Sequence, residues 1–219
     1  MPKVNGAYKD NKKREILDAA ARVLMKKTLY ELNMTDVIKE AGISKGGIYL
    51  YYKDIDALII DLMDREFKAD NFRERIDLLF NEDYPMETVI NRLLQLYAAY
   101  LKESSVLAGK LQFELTMLIT QNRERALKIR KKVCIRETGD YFNQKMADII
   151  ISNLEEDPKS KENGKYIFNY VQCFLDGVLE VYALEKCYQF DGMHVNLDNM
   201  MQKLTKNVIQ MIKDASNDR

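Results

Sequence analysis

The sequence predicts an all-α fold, and three observations carry that expectation. Apolar residues recur at helical spacing through most of the chain. No segment alternates apolar and polar residues as a half-buried strand does. Only 3 prolines and 9 glycines interrupt 219 residues, so long helices are favoured. About nine helices are expected: an N-terminal three-helix unit containing a helix-turn-helix, then a larger helical body. Apolar residues make up 47% of the chain, enough for a sizeable core.

The first helix is expected over about 10–27, after a loose 1–9, with Ile16, Ala19, Ala20, Val23 and Leu24 on one face. Lys12, Lys13 and Arg14 crowd its start, where cations oppose the helix dipole unless an anion lies near. The stretch 33–53, NMTDVIKEAGISKGGIYLYYK, reads as two short helices around a tight turn. Asn33 can cap the first, with Asp36 three residues on. Val37, Ile38 and Ala41 then face a core. Gly42 stops that helix because glycine adopts the left-handed conformation without a Cβ penalty. Ser44 can cap the second helix. Gly46 and Gly47 are poor helix formers but permit close approach to something large and anionic. A second helix of this kind fits a DNA major groove.

Asp54 can cap a fourth helix, expected to run to about Phe72 with a short extension over 76–80. Pro85 suits the start of a fifth, 86–103. A sixth covers about 106–120, and a long seventh covers about 122–154. The latter begins with Arg123, Arg125, Lys128, Arg130, Lys131 and Lys132, read here as a solvated face, with help in DNA approach or transmission of a ligand signal as the alternatives. Residues 155–164, EEDPKSKENG, are read as a loop. The eighth and ninth helices, about 165–186 and 197–215, carry more apolar surface than one core stripe needs. Such excess points to an interface, here a two-fold dimer in which the pair packs against its mate as a four-helix bundle. Packing of these faces into one monomer core is the alternative.

The chain has no net charge, which taken alone argues against a nucleic-acid partner. The distribution reverses that argument. Met1 to Lys53 holds 11 Lys and Arg against 6 Asp and Glu, leaving 23 against 28 in the remainder. Cys134, Cys173 and Cys187 are far apart and lack metal-ligand spacing, so reduced thiols are expected. The polar N-terminus and the absence of a membrane-length apolar run predict a cytoplasmic protein. The single histidine, His194, lies in a connection without a nucleophile or metal partner nearby. No H-E-x-x-H, phosphate-binding glycine loop or nucleophile elbow occurs, so neither an enzyme nor a cofactor is expected.

The segment ILDAAARVLMKK, the 33–53 stretch and Ala57-Leu58 together resemble the TetR family of transcriptional regulators. The resemblance covers about the first quarter of the chain. It implies a homodimer that binds a palindromic operator, usually represses, and releases double-stranded DNA when a small molecule enters the C-terminal domain. It divides the chain into a helix-turn-helix domain, 10–54, and an effector-binding and dimerisation domain, 55–219. Carried over by position, Ser44, Lys45, Gly46, Gly47, Tyr49, Leu50 and Tyr51 occupy the recognition helix, and Thr35 the groove-facing start of the helix before it. Lys45 offers a cation to a phosphate or guanine edge; Tyr49 and Tyr51 offer hydroxyls and rings. Ile48 and Tyr52 are expected to hold the helix in its core.

Two positions depart from the family pattern. Thr28 follows the first helix where glycine is common. Ile55 stands where a phosphate-binding lysine is common, and Lys53 is the expected substitute. A helical ligand-binding and dimerisation module with weakened DNA binding is therefore the alternative reading. Candidate effector contacts are Tyr97, Phe113, Glu114, Met117, Tyr141, Phe142, Tyr170 and Phe174, which imply a modest, largely apolar effector. Glu114 is the polar member. Pairing with Lys110 or with an arginine of the seventh helix is its competing role.

Overall fold

In a computed structural model the described residues are 6–67, 71–192 and 194–217. They form eleven helices and no strand. The chain divides into two compact units. Unit 1 gathers Met1–Ala69 and Ser105–Arg136, and unit 2 gathers Asp70–Ser104 and Glu137–Arg219.

Unit 1 contains α1 (Gly6–Leu24), α2 (Met34–Ala41), α3 (Lys45–Tyr49), α4 (Ile55–Phe67), α7 (Val106–Gln121) and α8 (Arg123–Arg130). Each contributes one apolar stripe to a common core: Ile16, Ala20 and Leu24 from α1, Val37 from α2, Ile48 from α3, Leu58 and Leu62 from α4, Leu111 and Leu118 from α7, and Ile129 from α8. The capping residues act as the sequence expects. Asn33 Oδ1 accepts from the Asp36 amide at 3.1 Å, and Asp54 Oδ1 from the Ala57 amide at 2.7 Å. Gly42 terminates α2 with φ 63°.

Unit 2 contains α5 (Phe72–Phe80), α6 (Met86–Glu103), α10 (Pro158–Tyr188), α11 (Leu197–Asn217) and, from Glu137 onward, α9 (Ile135–Ile151). α11 packs along α6 and against α10, and α5 packs on α6. Leu93, Leu94, Met146, Val171, Leu175, Met201, Leu204 and Val208 form its centre. Lys186 Nζ donates to the Ser104 carbonyl at 3.0 Å, placing a cation at the carbonyl end of α6.

Four expectations change. The first helix starts at Gly6 rather than near residue 10; residues 1–5 lie outside the described ones. The fourth helix ends at Phe67, its expected passage over 68–70 lies outside the described residues, and 72–80 form a separate α5. The long seventh helix is two. At the break between them the Cys134 amide donates to Asp64 Oδ1 of α4 at 2.8 Å, a distant carboxylate acting as a cap. The expected loop 155–164 is mostly the opening of α10. Asp157 Oδ1 accepts from the amides of Lys159 and Ser160 at 2.8 and 3.1 Å, with Pro158 following. Asp-Pro is a helix-start signal, and the charged composition around it masks the signal.

Candidate nucleic-acid interface

α3 is a single short helix held at both ends. Ser44 Oγ accepts from the Gly47 amide at 3.0 Å. A Cβ on Gly47 would lie 3.1 Å from that oxygen, so this glycine keeps the cap uncrowded. Leu50 closes the helix, and Tyr51 follows it in the turn. Ile48 is fully buried and Tyr52 nearly so, as the sequence anticipates. The Tyr52 hydroxyl donates to Asp61 Oδ2 of α4 at 2.6 Å, and Lys13 Nζ of α1 lies 3.3 Å from the same oxygen. Lys13 also sits 5.5 Å from the Tyr52 ring centroid. Burial, and after it the bond to Asp61, pushes the Tyr52 phenol up, so it stays protonated as a donor.

With its apolar side anchored, the unit presents Thr35, Ser44, Lys45, Gly46, Tyr49, Leu50 and Lys53 to solvent. Leu50 is 79% exposed, which no packing role explains. Gly47 and Tyr51 are half-buried, and the Tyr51 ring packs partly on the core. Neither Lys45 nor Lys53 is paired with an acid among the described residues. Ile55 is half-buried against the unit 1 core, an apolar use for the position where a cation is common. Thr28 donates from its amide and hydroxyl to the Glu31 carboxylate, at 3.0 and 2.9 Å, closing the turn after α1.

The rest of unit 1 supports this surface through pairs distant in sequence. Arg22 and Lys27 reach Glu40 and Asp36 of α2 at 2.6 and 2.9 Å. Asp56, at the start of α4, receives Arg125 at 2.7 Å and Lys128 at 3.2 Å from α8. Burial raises the Asp56 carboxyl, but these bonds outweigh it and hold the group below the ordinary carboxylate range. Lys110 and Glu114 form a buried ion pair at 2.9 Å, and the Leu29 amide donates to the other Glu114 oxygen. α7 is thereby tied to the connection ahead of α2. Only the Lys110–Glu114 pair was visible in the sequence, through its i,i+4 spacing.

The candidate effector contacts separate. Phe113, Glu114 and Met117 lie on α7 in unit 1, where both Glu114 oxygens are engaged. Tyr97, Tyr141, Phe142, Tyr170 and Phe174 lie in unit 2. There Phe142 sits between Tyr97 and Phe72, with ring centroids 5.4 and 6.1 Å away, and Phe72 continues to Tyr100 at 4.9 Å. Burial, then the charge of Asp176, pushes the Tyr97 phenol up. The Tyr141 hydroxyl donates to Asp77, and Arg73 lies 4.3 Å from its ring centroid. Tyr170 accepts from Asn207 at 2.9 Å and neighbours Phe174 at 6.4 Å. Among the described residues, no helix is long and apolar enough to cross a membrane.

A helix-turn-helix with a buried back and an exposed cationic, aromatic front has the form of a DNA-reading module. Residues 16–62 match the family model for bacterial regulatory proteins of the tetR family. An uncharacterised HTH-type transcriptional regulator of Bacillus subtilis, YfiR, is 28% identical over 155 residues, 71% of each chain. The fatty acid metabolism regulator protein of the same species is 28% identical over 119 residues, 54% of this chain and 57% of that one. The crystal structure of B. subtilis FadR with stearoyl-CoA shares the fold at TM-score 0.57 and 16% identity, covering 90% of this chain and 98% of that one. The helix-turn-helix region of this chain is thus similar to that of the TetR family of transcriptional regulators. The family and these relatives are regulators rather than enzymes.

Proposed function

We propose that this chain is a cytoplasmic repressor that binds a palindromic operator as a homodimer and releases it when a small, largely apolar effector binds. The observation that carries the DNA-binding half is the exposure of Lys45, Gly46, Tyr49 and Leu50, set on buried Ile48 and Tyr52. In this reading Lys45 and Lys53 contact phosphates or a guanine edge, and Tyr49 and Leu50 meet bases or sugars. Thr35, Ser44, Gly46 and Gly47 lie against the backbone, and Tyr51 contributes through the part of its ring left exposed. Functionally, 10–54 reads DNA and 55–219 binds effector and dimerises, although unit 1 draws on both.

The dimer forms through α10 and α11. Supporting this, α10 carries Phe168, Tyr170, Phe174, Leu179 and Tyr182 only half-buried, and Tyr166 is 63% exposed. Two copies present their recognition helices to half-sites about 34 Å apart, one turn of DNA. The effector lies among the unit 2 aromatics Tyr97, Tyr141, Phe142, Tyr170 and Phe174, with Phe113 and Met117 as further candidates. Glu114 serves the fold, because its oxygens are taken. Likeness to the fatty acid metabolism regulator and to FadR with stearoyl-CoA makes a long-chain acyl thioester the first probe. A mobility-shift titration on the duplex upstream of the chain's own gene tests the reading. Binding that stearoyl-CoA or another apolar compound weakens supports it; absence of binding to that duplex and to selected random duplexes rejects it.

A further inference from the structure

α1 outruns its own core. Residues 6–15 are helical, yet none of their side chains is buried. A helical stretch of that length is marginal in water unless something covers it. The face that buries Ile16 and Ala20 continues backward at helical spacing as Lys13 and then Lys9, so it turns from apolar to cationic where the core stops. Lys12 lies beside them, and Arg14 falls on the other side of the helix. Asp10 and Glu15 are the acids of this stretch, and neither stands in the first turn, so the cations oppose the helix dipole. An anion lying against this face would stabilise the arrangement. Unit 1 as a whole carries 21 Lys and Arg against 13 Asp and Glu, and unit 2 carries 13 against 21, so a polyanionic partner is matched to unit 1.

Direct contacts place this face beside the DNA-reading segment. Lys13 Nζ lies 3.3 Å from Asp61 Oδ2, the oxygen that accepts from the Tyr52 hydroxyl, and 5.5 Å from the Tyr52 ring centroid. Lys13 thereby fixes α1 against the residue between Tyr51 and Lys53. Lys12 is held above its usual range first by the Glu15 carboxylate at 2.6 Å and then by the phenols of Tyr8 and Tyr51, so Tyr51 is within its electrostatic reach. The Lys12–Glu15 pair is exposed and contributes little by itself, so a phosphate displaces Glu15 at small cost. Lys9 stands one turn, about 6 Å, beyond Lys13 on the same face. It is exposed and paired with no acid among the described residues.

We infer that Lys9 and Lys12, on the cationic continuation of the buried face of α1, are a second DNA-backbone contact, and that Lys13 positions them through Tyr52 and Asp61. The partner is double-stranded DNA. The two ammonium groups take phosphates flanking the groove that α3 enters, and extend the footprint outward from Tyr51 and Lys53. Ammonium groups on phosphates carry no sequence information directly, so the contact raises affinity for any sequence and leaves discrimination to α3. The inference rests on the proposed operator binding.

The test measures affinity against salt concentration for a fluorescent random-sequence duplex and for the duplex upstream of the gene. Each phosphate neutralised contributes about 0.9 to the slope of log affinity on log salt. The double variant Lys9→Gln, Lys12→Gln flattens the slope by about 1.8 on both duplexes and keeps their affinity ratio within about twofold. Glu15→Gln releases Lys12 and steepens the slope, a gain that loss of folding does not mimic. Lys131→Gln with Lys132→Gln leaves the slope unchanged, because the Cys134–Asp64 bond fixes that end of α8 about two turns up α4. A slope unmoved by both the double variant and Glu15→Gln overturns the inference while operator binding stands. Equal flattening by the Lys131 and Lys132 variant also overturns it, because net charge alone would then account for the effect. A double variant that weakens only the upstream duplex overturns it as well, because a base-reading role would then be indicated. Failure of the wild-type chain to bind either duplex overturns the proposed function first and this inference with it.

Discussion

Unit 1 and unit 2 hold equal and opposite charge surpluses of eight, and they use their polar groups differently. Unit 1 is stitched by ion pairs between residues far apart in sequence: Arg22–Glu40, Arg65–Asp18 and Arg125–Asp56. Each fixes one short helix against another, suiting a surface that must present α3 in one orientation. Unit 2 has long-range pairs as well, Arg75–Glu103, Lys102–Asp198 and Lys213–Glu87, and adds to them longer helices and a run of aromatic rings from Tyr100 through Phe72 and Phe142 to Tyr97. Such rings offer an apolar guest contact area, whereas a buried ion pair resists the loss of either partner. The contrast separates a unit built for position from a unit built for accommodation.

The most severe way to break that contrast is Glu114→Ala. It strands the Lys110 ammonium in the interior and removes the acceptor of the Leu29 amide. A loss of about 3–5 kcal/mol is expected in urea unfolding. If Glu114 instead serves the effector, the variant keeps its stability and loses the effector response. Next is Gly42→Ala, which forces a side chain into the left-handed conformation at φ 63°. The expected cost is about 1–2 kcal/mol, with operator affinity falling while effector binding to unit 2, followed by calorimetry, is retained.

Smaller effects sharpen the division of labour. Lys45→Ala and Lys53→Ala each weaken binding to every duplex and flatten the salt slope by about 0.9. An unchanged slope for Lys53→Ala removes its role as substitute for the missing cation at Ile55. Tyr97→Phe keeps effector-free DNA affinity within about twofold and alters the effector concentration needed for release, since the phenol lies in unit 2. The smallest effect concerns acid. Asp56 titrates below its ordinary range in the folded chain, so the stability it contributes is present above about pH 4 and is lost as pH falls through the lowered value. Asp56→Asn therefore reduces stability at neutral pH and flattens its decline below about pH 4, measured by thermal melts across pH.

Local chemistry made much of unit 1 legible in the sequence. Asn33, Ser44 and Asp54 cap helices by bonds spanning three residues, and Gly42 ends one by its own backbone freedom. The burial of Ile48 and Tyr52 agrees with the expectation drawn beside the family resemblance. What escaped depends on partners far along the chain. The split of the long seventh helix is fixed by Asp64, 70 residues before Cys134. The docking of α8 depends on Asp56, 69 residues before Arg125. Without those contacts, the basic run after Asn122 reads first as a solvated face. That α7 packs in the unit 1 core was hidden for the same reason, since periodicity shows which face is buried but not which core receives it.

The most direct test of the whole account is fluorescence anisotropy of the duplex upstream of the gene, titrated with the full chain in the absence and presence of stearoyl-CoA. The account predicts two protomers per half-site pair, affinity above that for a scrambled duplex, and weakening of about tenfold or more by the acyl thioester or another apolar compound. Equal affinity for the scrambled duplex, or saturation by a single protomer, would contradict it.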